Sequence, residues 1–165
     1  MKVLGIDPGL ADTGFAVVEE VAGRFSAIEL GLIKTRPTSK TAARFKELYR
    51  KVSEILKIHR PVALSLETLF FNKNSKTAFL VGRSSGVVLL AAAESGVPVF
   101  EYTPPEVKAA LTGYGRADKQ QVQKMVRMLL GYKNFFKTDD VADAAAIALC
   151  HLQNARFQQK VSQGR

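Results

Sequence analysis

The sequence predicts an α/β fold: a five-stranded mixed sheet with helices on both faces. Two observations carry that reading. Residues 1–35 alternate apolar runs with short turns and hold no helical period, the pattern of a three-stranded antiparallel meander. Beyond them helical and strand segments alternate, and strands joined through helices form parallel pairs by right-handed crossovers.

Residues 2–7 (KVLGID) read as a buried strand that ends at Asp7, immediately before Pro8-Gly9. Residues 15–21 make the second strand, and the turn Ala22-Gly23-Arg24 leads to a third over residues 25–35. In residues 37–61, Ala43, Phe45, Leu48, Val52, Ile55, Leu56 and Ile58 recur at helical spacing until Pro61 stops the run. VALSLE (62–67) is a short strand ending at Glu67. After the loop FFNKNS, a helix spans residues 75–95 and closes at Gly96; its run GVVLLAAA is so apolar that most of its faces must be covered, and it offers a partner interface as well as core surface. Residues 97–102 form the fifth strand. Thr103-Pro-Pro opens a short helix over 106–111, where proline costs no hydrogen bond because the first turn has no partner for the donor. The loop TGYGRA leads to a helix over 118–130, and a last helix spans 138–158. One domain over residues 1–158 is expected, with 159–165 a frayed tail.

Composition narrows the function. The 165 residues are 47% hydrophobic, enough for a real core, which excludes collagen-like, disordered and disulfide-framework proteins. The most apolar stretch, residues 86–93, is far short of the roughly 20 residues that cross a bilayer. The amino terminus MKVLGIDPG reaches an acid too soon for a signal peptide, so a cytoplasmic location is expected. The single cysteine, Cys150, lies in the run AAAIALC and reads as a small buried hydrophobe; His151 after it reads as a helix-end residue. The chain carries 24 Lys+Arg against 15 Asp+Glu, a net +9. Residues 34–60 hold nine bases and two acids, and residues 72–137 ten and four, the electrostatic footprint of a nucleic-acid binder.

Against that basic background, four acids stand out. Asp7 and Glu67 both end strands at a carboxyl edge, and if the two strands are parallel neighbours the carboxylates lie side by side. Asp140 and Asp143, three apart near the start of the last helix, share a face at an end that favours negative charge. Asp139 and Asp143, four apart, would share one too. Asp143 sits within the apolar run VADAAAIALC, where an unpaired carboxylate is costly. A cation is its natural partner, and hard oxygen ligands from several elements suit Mg²⁺ or Mn²⁺.

The segments LGIDPGLADTGFAVV, SLETLFFNKN, PPEVKAALTGYGRADKQQVQKMV and DDVADAAAIALCH, in this order and spacing, resemble the RuvC family of bacterial Holliday-junction resolvases along essentially the whole chain. The resemblance implies a ribonuclease H-like fold, a homodimer, and divalent-metal-dependent hydrolysis that nicks four-way DNA junctions symmetrically in recombination and repair. It also implies a RuvA–RuvB branch-migration complex as partner. Position by position, the family's metal-binding acids fall on Asp7, Glu67, Asp140 and Asp143, its D-x-x-D spacing selecting Asp140 over Asp139. Its two lysines near the DNA fall on Lys108 and Lys119. The base-contacting aromatic falls on Phe70, and Phe71 departs from the Met often found beside it.

On this reading two divalent ions, about 3.5–4 Å apart, flank the scissile phosphate, with Asp7 bridging them. Lys108 and Lys119 neutralise phosphate charge. Phe70 and Phe71 stack on unpaired bases, and Lys73, Lys76, Arg83, Arg116, Lys124 and Arg127 contact the DNA backbone. Three rivals share features of the chain. An actin-like or sugar-kinase ATPase would need a second domain, which this length does not hold, and an Asp-x-Gly loop beyond the DPG and DTG of the first turn; no Asp-x-Gly follows residue 14. A ribonuclease H would share the acids, and a catalytically dead junction-binding module would have no use for them.

Overall fold

The computed structural model describes residues 1–68, 75–134 and 136–163, with the backbone alone for 75–77 and 159–163. The order is β1 (Lys2–Asp7), β2 (Asp12–Val21), β3 (Arg24–Lys34), α1 (Thr41–His59), β4 (Ala63–Glu67), α2 (Ser75–Glu94), β5 (Val99–Tyr102), α3 (Pro104–Thr112), α4 (Lys119–Leu130) and α5 (Asp139–Gln163). The strands form one sheet in the order β3-β2-β1-β4-β5. Strand β1 runs antiparallel to β2 and parallel to β4, and β4 runs parallel to β5. The ends of β1, β4, β5 and β3 and the start of β2 therefore share one edge of the sheet.

Alternation along the central strands explains the layers. Val3, Ala16, Val18 and Ala63 face α3, α4 and α5 in one core, while Leu4, Ile6, Phe15, Val17, Leu64 and Leu66 face α1 and α2 in the other. Helix α5 lies directly on the sheet because its buried face is alanine and the strand beneath offers glycine. A Cβ on Gly5 would sit 2.1 Å from the Ala144 carbonyl oxygen, and one on Gly14 would sit 2.0 Å from that of Asp140. The sheet thus grips the helix backbone at the turn that carries two of the candidate acids.

The boundaries depart from the sequence pattern in instructive ways. Strand β2 starts at Asp12 instead of residue 15, because Asp12 and Thr13 extend the ladder to Lys34 and Ile33. Strand β5 starts at Val99 because the Val97 amide bonds back to the Ala92 carbonyl at 3.0 Å and belongs to the turn that ends α2. Helix α5 continues to Gln163 instead of ending at Gln158, since nothing in residues 159–163 breaks a helix.

One side chain and one helix behave differently from expectation. His151 is not at a helix end; it is buried mid-helix, 2.7 Å from the Tyr102 hydroxyl and tilted 40° against the Phe100 ring with centroids 4.4 Å apart. Helix α2 is not covered on most faces: Phe79, Leu89 and Leu90 stand exposed at 58%, 38% and 53%. Cys150 is buried as expected, and burial pushes its thiol up to about 12, which removes it from nucleophilic chemistry.

Candidate active site

The turn after β1 is pinned from behind. The buried Thr13 hydroxyl accepts from the Gly9 amide at 3.3 Å and donates to the Gly9 carbonyl at 2.5 Å. The Thr35 hydroxyl donates to the Leu10 carbonyl. With the loop held, Asp7 stands at the sheet edge beside Glu67: β1 and β4 pair in parallel up to Ile6 and Leu66, one residue before each acid. Adjacent strands lie about 4.8 Å apart, so the two carboxylates are neighbours.

The third element is the start of α5, which brings Asp139 and Asp140 from its first turn and Asp143 from its second over the same edge. Two capping boxes place the cations opposite. Thr103 and Glu106 cap α3, which carries Lys108; Asp118 and Gln121 cap α4, whose first residue is Lys119. Lys119 reaches Asp139 at 3.0 Å and Asp143 at 3.3 Å. Glu67, Lys108, Lys119 and Asp143 line one cleft of about 200 Å³, floored by Val107 and Ile147.

The charges strain against one another. Burial pushes Asp7 up to about 7, reinforced by the charges on Asp143, Glu67 and Asp140, with Lys119 opposing. Burial also raises Glu67, helped by Asp143 and countered by Lys108 and Lys119. Asp143 is raised by burial too, with Lys119 as the main opposing charge. Asp139 behaves oppositely: its hydrogen bonds to Lys119 and to Gln123, the latter 2.9 Å, hold it below the usual carboxylate range. It is exposed and already partnered, whereas Asp140 adds to the charge on Asp7.

Among the described residues no three acids converge tightly enough to form a ready-made metal cage. Their chemistry nevertheless fits a hard divalent cation. Asp7, Glu67, Asp140 and Asp143 offer oxygen donors from three elements, and the raised carboxyls of Asp7, Glu67 and Asp143 are those that a positive charge would relieve.

This frustration predicts a pH dependence of stability. Asp7 moves from the ordinary 3.8 to about 7, so the folded state holds this proton more tightly than the unfolded state. The stabilisation is complete below pH 4 and is lost as pH rises through 7. Three pH units correspond to about 4 kcal/mol at most. In EDTA, the stability difference between wild type and Asp7→Asn should shift by about 2–4 kcal/mol toward the variant between pH 4 and pH 8. Urea titrations at the two pH values measure it; parallel stability curves would contradict the assignment.

The remaining candidates scatter. Arg116 is exposed in the α3–α4 loop, and Lys124 lines a separate groove with Tyr114 and Met128. Arg127 lies in the last turn of α4. Arg83 stands on α2 with its guanidinium 4.2 Å from the Phe79 ring centroid. Phe70, Phe71 and Lys73 lie outside the described residues, as does the Lys76 side chain. Sequence reasoning missed Thr13 and Gly14, which hold the loop and seat Asp140. Their signal was present in DTG, a small polar residue and a glycine directly after the first acid's turn.

Comparison with known proteins accounts for this arrangement. Residues 3–151 match the family model described as crossover junction endodeoxyribonuclease RuvC. The chain is 48% identical over 161 residues to the RuvC of Pelotomaculum thermopropionicum, covering 98% of each. It is 48% identical over 165 residues to that of Caldanaerobacter subterraneus, covering 100% of each. The solved structure of Thermus thermophilus RuvC in complex with a Holliday junction substrate superposes with a TM-score of 0.91 at 40% identity, covering 96% of each chain. The sheet order, the helices on both faces and the match over nearly the whole chain agree: the chain belongs to the RuvC family of crossover junction endodeoxyribonucleases.

Proposed function

We propose that this protein resolves four-way DNA junctions in recombination and repair by paired symmetric nicks, through metal-dependent phosphodiester hydrolysis. The observation that carries the reading is the gathering of Asp7, Glu67, Asp140 and Asp143 at one sheet edge of a chain with net charge +9. These four carboxylates would hold Mg²⁺ or Mn²⁺, two ions per site. Bound there, divalent cations supply an acidified water and a stabilised leaving oxygen.

The chain's own residues do the rest. Asp7, between Glu67 and the α5 acids, would be the central oxygen donor of the set. Lys119 exchanges its contact with Asp143 for the phosphate, and Lys108 meets the same phosphate from the Glu67 side. Phe70 and Phe71, directly after the β4 acid, stack on bases opened at the crossover. Lys73, Lys76, Arg116, Lys124 and Arg127 hold backbone phosphates. Residues 1–158 act as one nuclease domain, from which α5 runs on to Gln163.

Two nicks related by twofold symmetry call for a C2 homodimer. The exposed residues Phe79, Arg83, Gly86 and Leu90 fall on one stripe of α2, and a second copy of this helix would cover it. Arg83, read from the sequence as a DNA contact, lies on that stripe. Leu90→Glu should convert a particle of twice the 18.0 kDa chain mass into monomer, read by sedimentation equilibrium. A variant that still sediments as a dimer would remove α2 from the interface. A cytoplasmic location and action beside a RuvA–RuvB branch-migration complex complete the reading. Among the described residues no helix is long and apolar enough to cross a membrane.

The deciding experiment offers a synthetic four-way junction, its duplex arms and an RNA–DNA hybrid, with Mg²⁺, Mn²⁺ or EDTA. Paired nicks in the junction, absent in EDTA, are expected. Cleavage of the hybrid but not the junction would overturn the substrate. Tight junction binding without cleavage in either metal would leave only a binding module.

A further inference from the structure

The carboxyl edge of the sheet continues past Asp7 toward β3, and the side chains there have no part in the site described above. A groove of about 460 Å³ runs between β3 and the segment that leads into α5. Leu32 and Lys34 line one wall; Tyr132, Phe136, Lys137 and Thr138 line the other. Tyr132 and Phe136 stack at 5.3 Å with an interplanar angle of 17°, half-buried against the core at the groove wall. Lys34 and Lys137 are both exposed at its rim.

We infer that this groove binds the DNA backbone beside the scissile phosphate, with Lys34 and Lys137 each on a phosphate and the stacked rings against the intervening sugar. The inference rests on the nuclease reading and extends its substrate path. Position is the first argument. Strand β3 lies two places from β1, so Lys34 stands about 10 Å along the edge from Asp7. That is a short step along a nucleic-acid strand. Lys108 lies on the other flank, beside Glu67. A strand crossing the edge would therefore meet a cation before the acids and another after them.

Charge is the second argument. The acids near this groove are largely engaged elsewhere. Asp139, two residues after Lys137, is held by Lys119 at 3.0 Å and by Gln123 at 2.9 Å. Asp12 faces Lys34 only loosely, at 3.9 Å with both side chains well exposed. The β3–α1 connection adds Arg36 and Lys40, and residues 34–44 contain no acid. A polyanion is the partner that this flank complements.

The test compares wild type with Lys34→Ala/Lys137→Ala in junction binding in EDTA across a range of salt. Each lost phosphate contact should reduce the salt slope by about 1, so the double variant should lose about 2. Lys57→Ala/Arg60→Ala removes the same charge at the C-terminal end of α1, toward the opposite edge, and should leave the slope unchanged. An unaltered slope in the Lys34/Lys137 variant overturns the inference. So does an equal fall in the Lys57/Arg60 variant, since net charge alone would then explain it. Cleavage by wild type separates the two levels: a junction-cleaving wild type with an unaffected double variant loses only the groove, whereas failure of wild type to cleave any junction loses the nuclease reading itself.

Discussion

Replacing Asp7 by Asn should abolish junction cleavage while leaving junction binding in EDTA intact. Asp7 feels the charges of Asp143, Glu67 and Asp140 together, so it is the carboxylate nearest the centre of the cluster. Its removal takes a donor from the middle of the ligand set, and the loss should exceed the roughly 100-fold that even outer-shell partners of a bound metal produce. Binding should survive because Asn is isosteric and keeps the edge geometry. One fewer negative charge beside the phosphates also removes a repulsion, so affinity without metal should equal or exceed that of wild type. Asp139→Asn provides the contrast. Asp139 is exposed and occupied by Lys119 and Gln123, and its loss should change the rate by less than about tenfold, in keeping with the modest value of an exposed ion pair. Single-turnover cleavage with Mg²⁺ and gel-shift titrations in EDTA measure both variants. An Asp7→Asn protein that cuts within tenfold of wild type, or an Asp139→Asn protein as dead as it, would displace the assignment.

The acids were legible because each breaks the local rule of its element. Asp7 and Glu67 end apolar strands, and Asp143 interrupts a helix whose neighbours are alanine and valine, so each raises the question of what compensates its charge. Parallel pairing of β1 and β4 then brings the first two together, and helix spacing brings in the third. How α2 divides between core and partner surface was not legible. A run such as GVVLLAAA looks the same in a core as at a protein–protein contact, because both bury apolar surface. His151 was misplaced because it follows the apolar run AAAIALC, whose end looks like the close of the buried helix, while α5 runs on to Gln163. The contact between Lys119 and Asp143 joins residues 24 apart in sequence and depends on how α4 meets α5, which periodicity does not encode.

Gly14→Ala should disable cleavage without touching a charged group. Gly14 pairs with Asp7 across β1 and β2, and its α face carries the backbone of Asp140. An added Cβ would lie 2.0 Å from the Asp140 carbonyl oxygen and 2.3 Å from its carbon, where ordinary contact begins at 3.4 Å. The gap to be made up is 3.4 − 2.0 = 1.4 Å, and neither partner is a side chain that can rotate away. The first turn of α5 must lift from the sheet, or β2 must sink, and either motion separates Asp140 from Asp7. Overpacking of this kind costs about 2–3 kcal/mol, or about 4–12 °C in Tm for a chain of this size. A misplacement of about 1 Å costs about 100-fold in rate, so the catalytic loss should far exceed what partial unfolding explains at 25 °C. Gly31→Ala separates the two effects: its added methyl meets the Phe15 ring at 2.3 Å instead of α5, so it should lower Tm and keep cleavage near wild type. The pair is read by thermal melts and by single-turnover cleavage well below both midpoints. Wild-type cleavage by Gly14→Ala would mean that the seat of Asp140 on β2 does not set the geometry of the site.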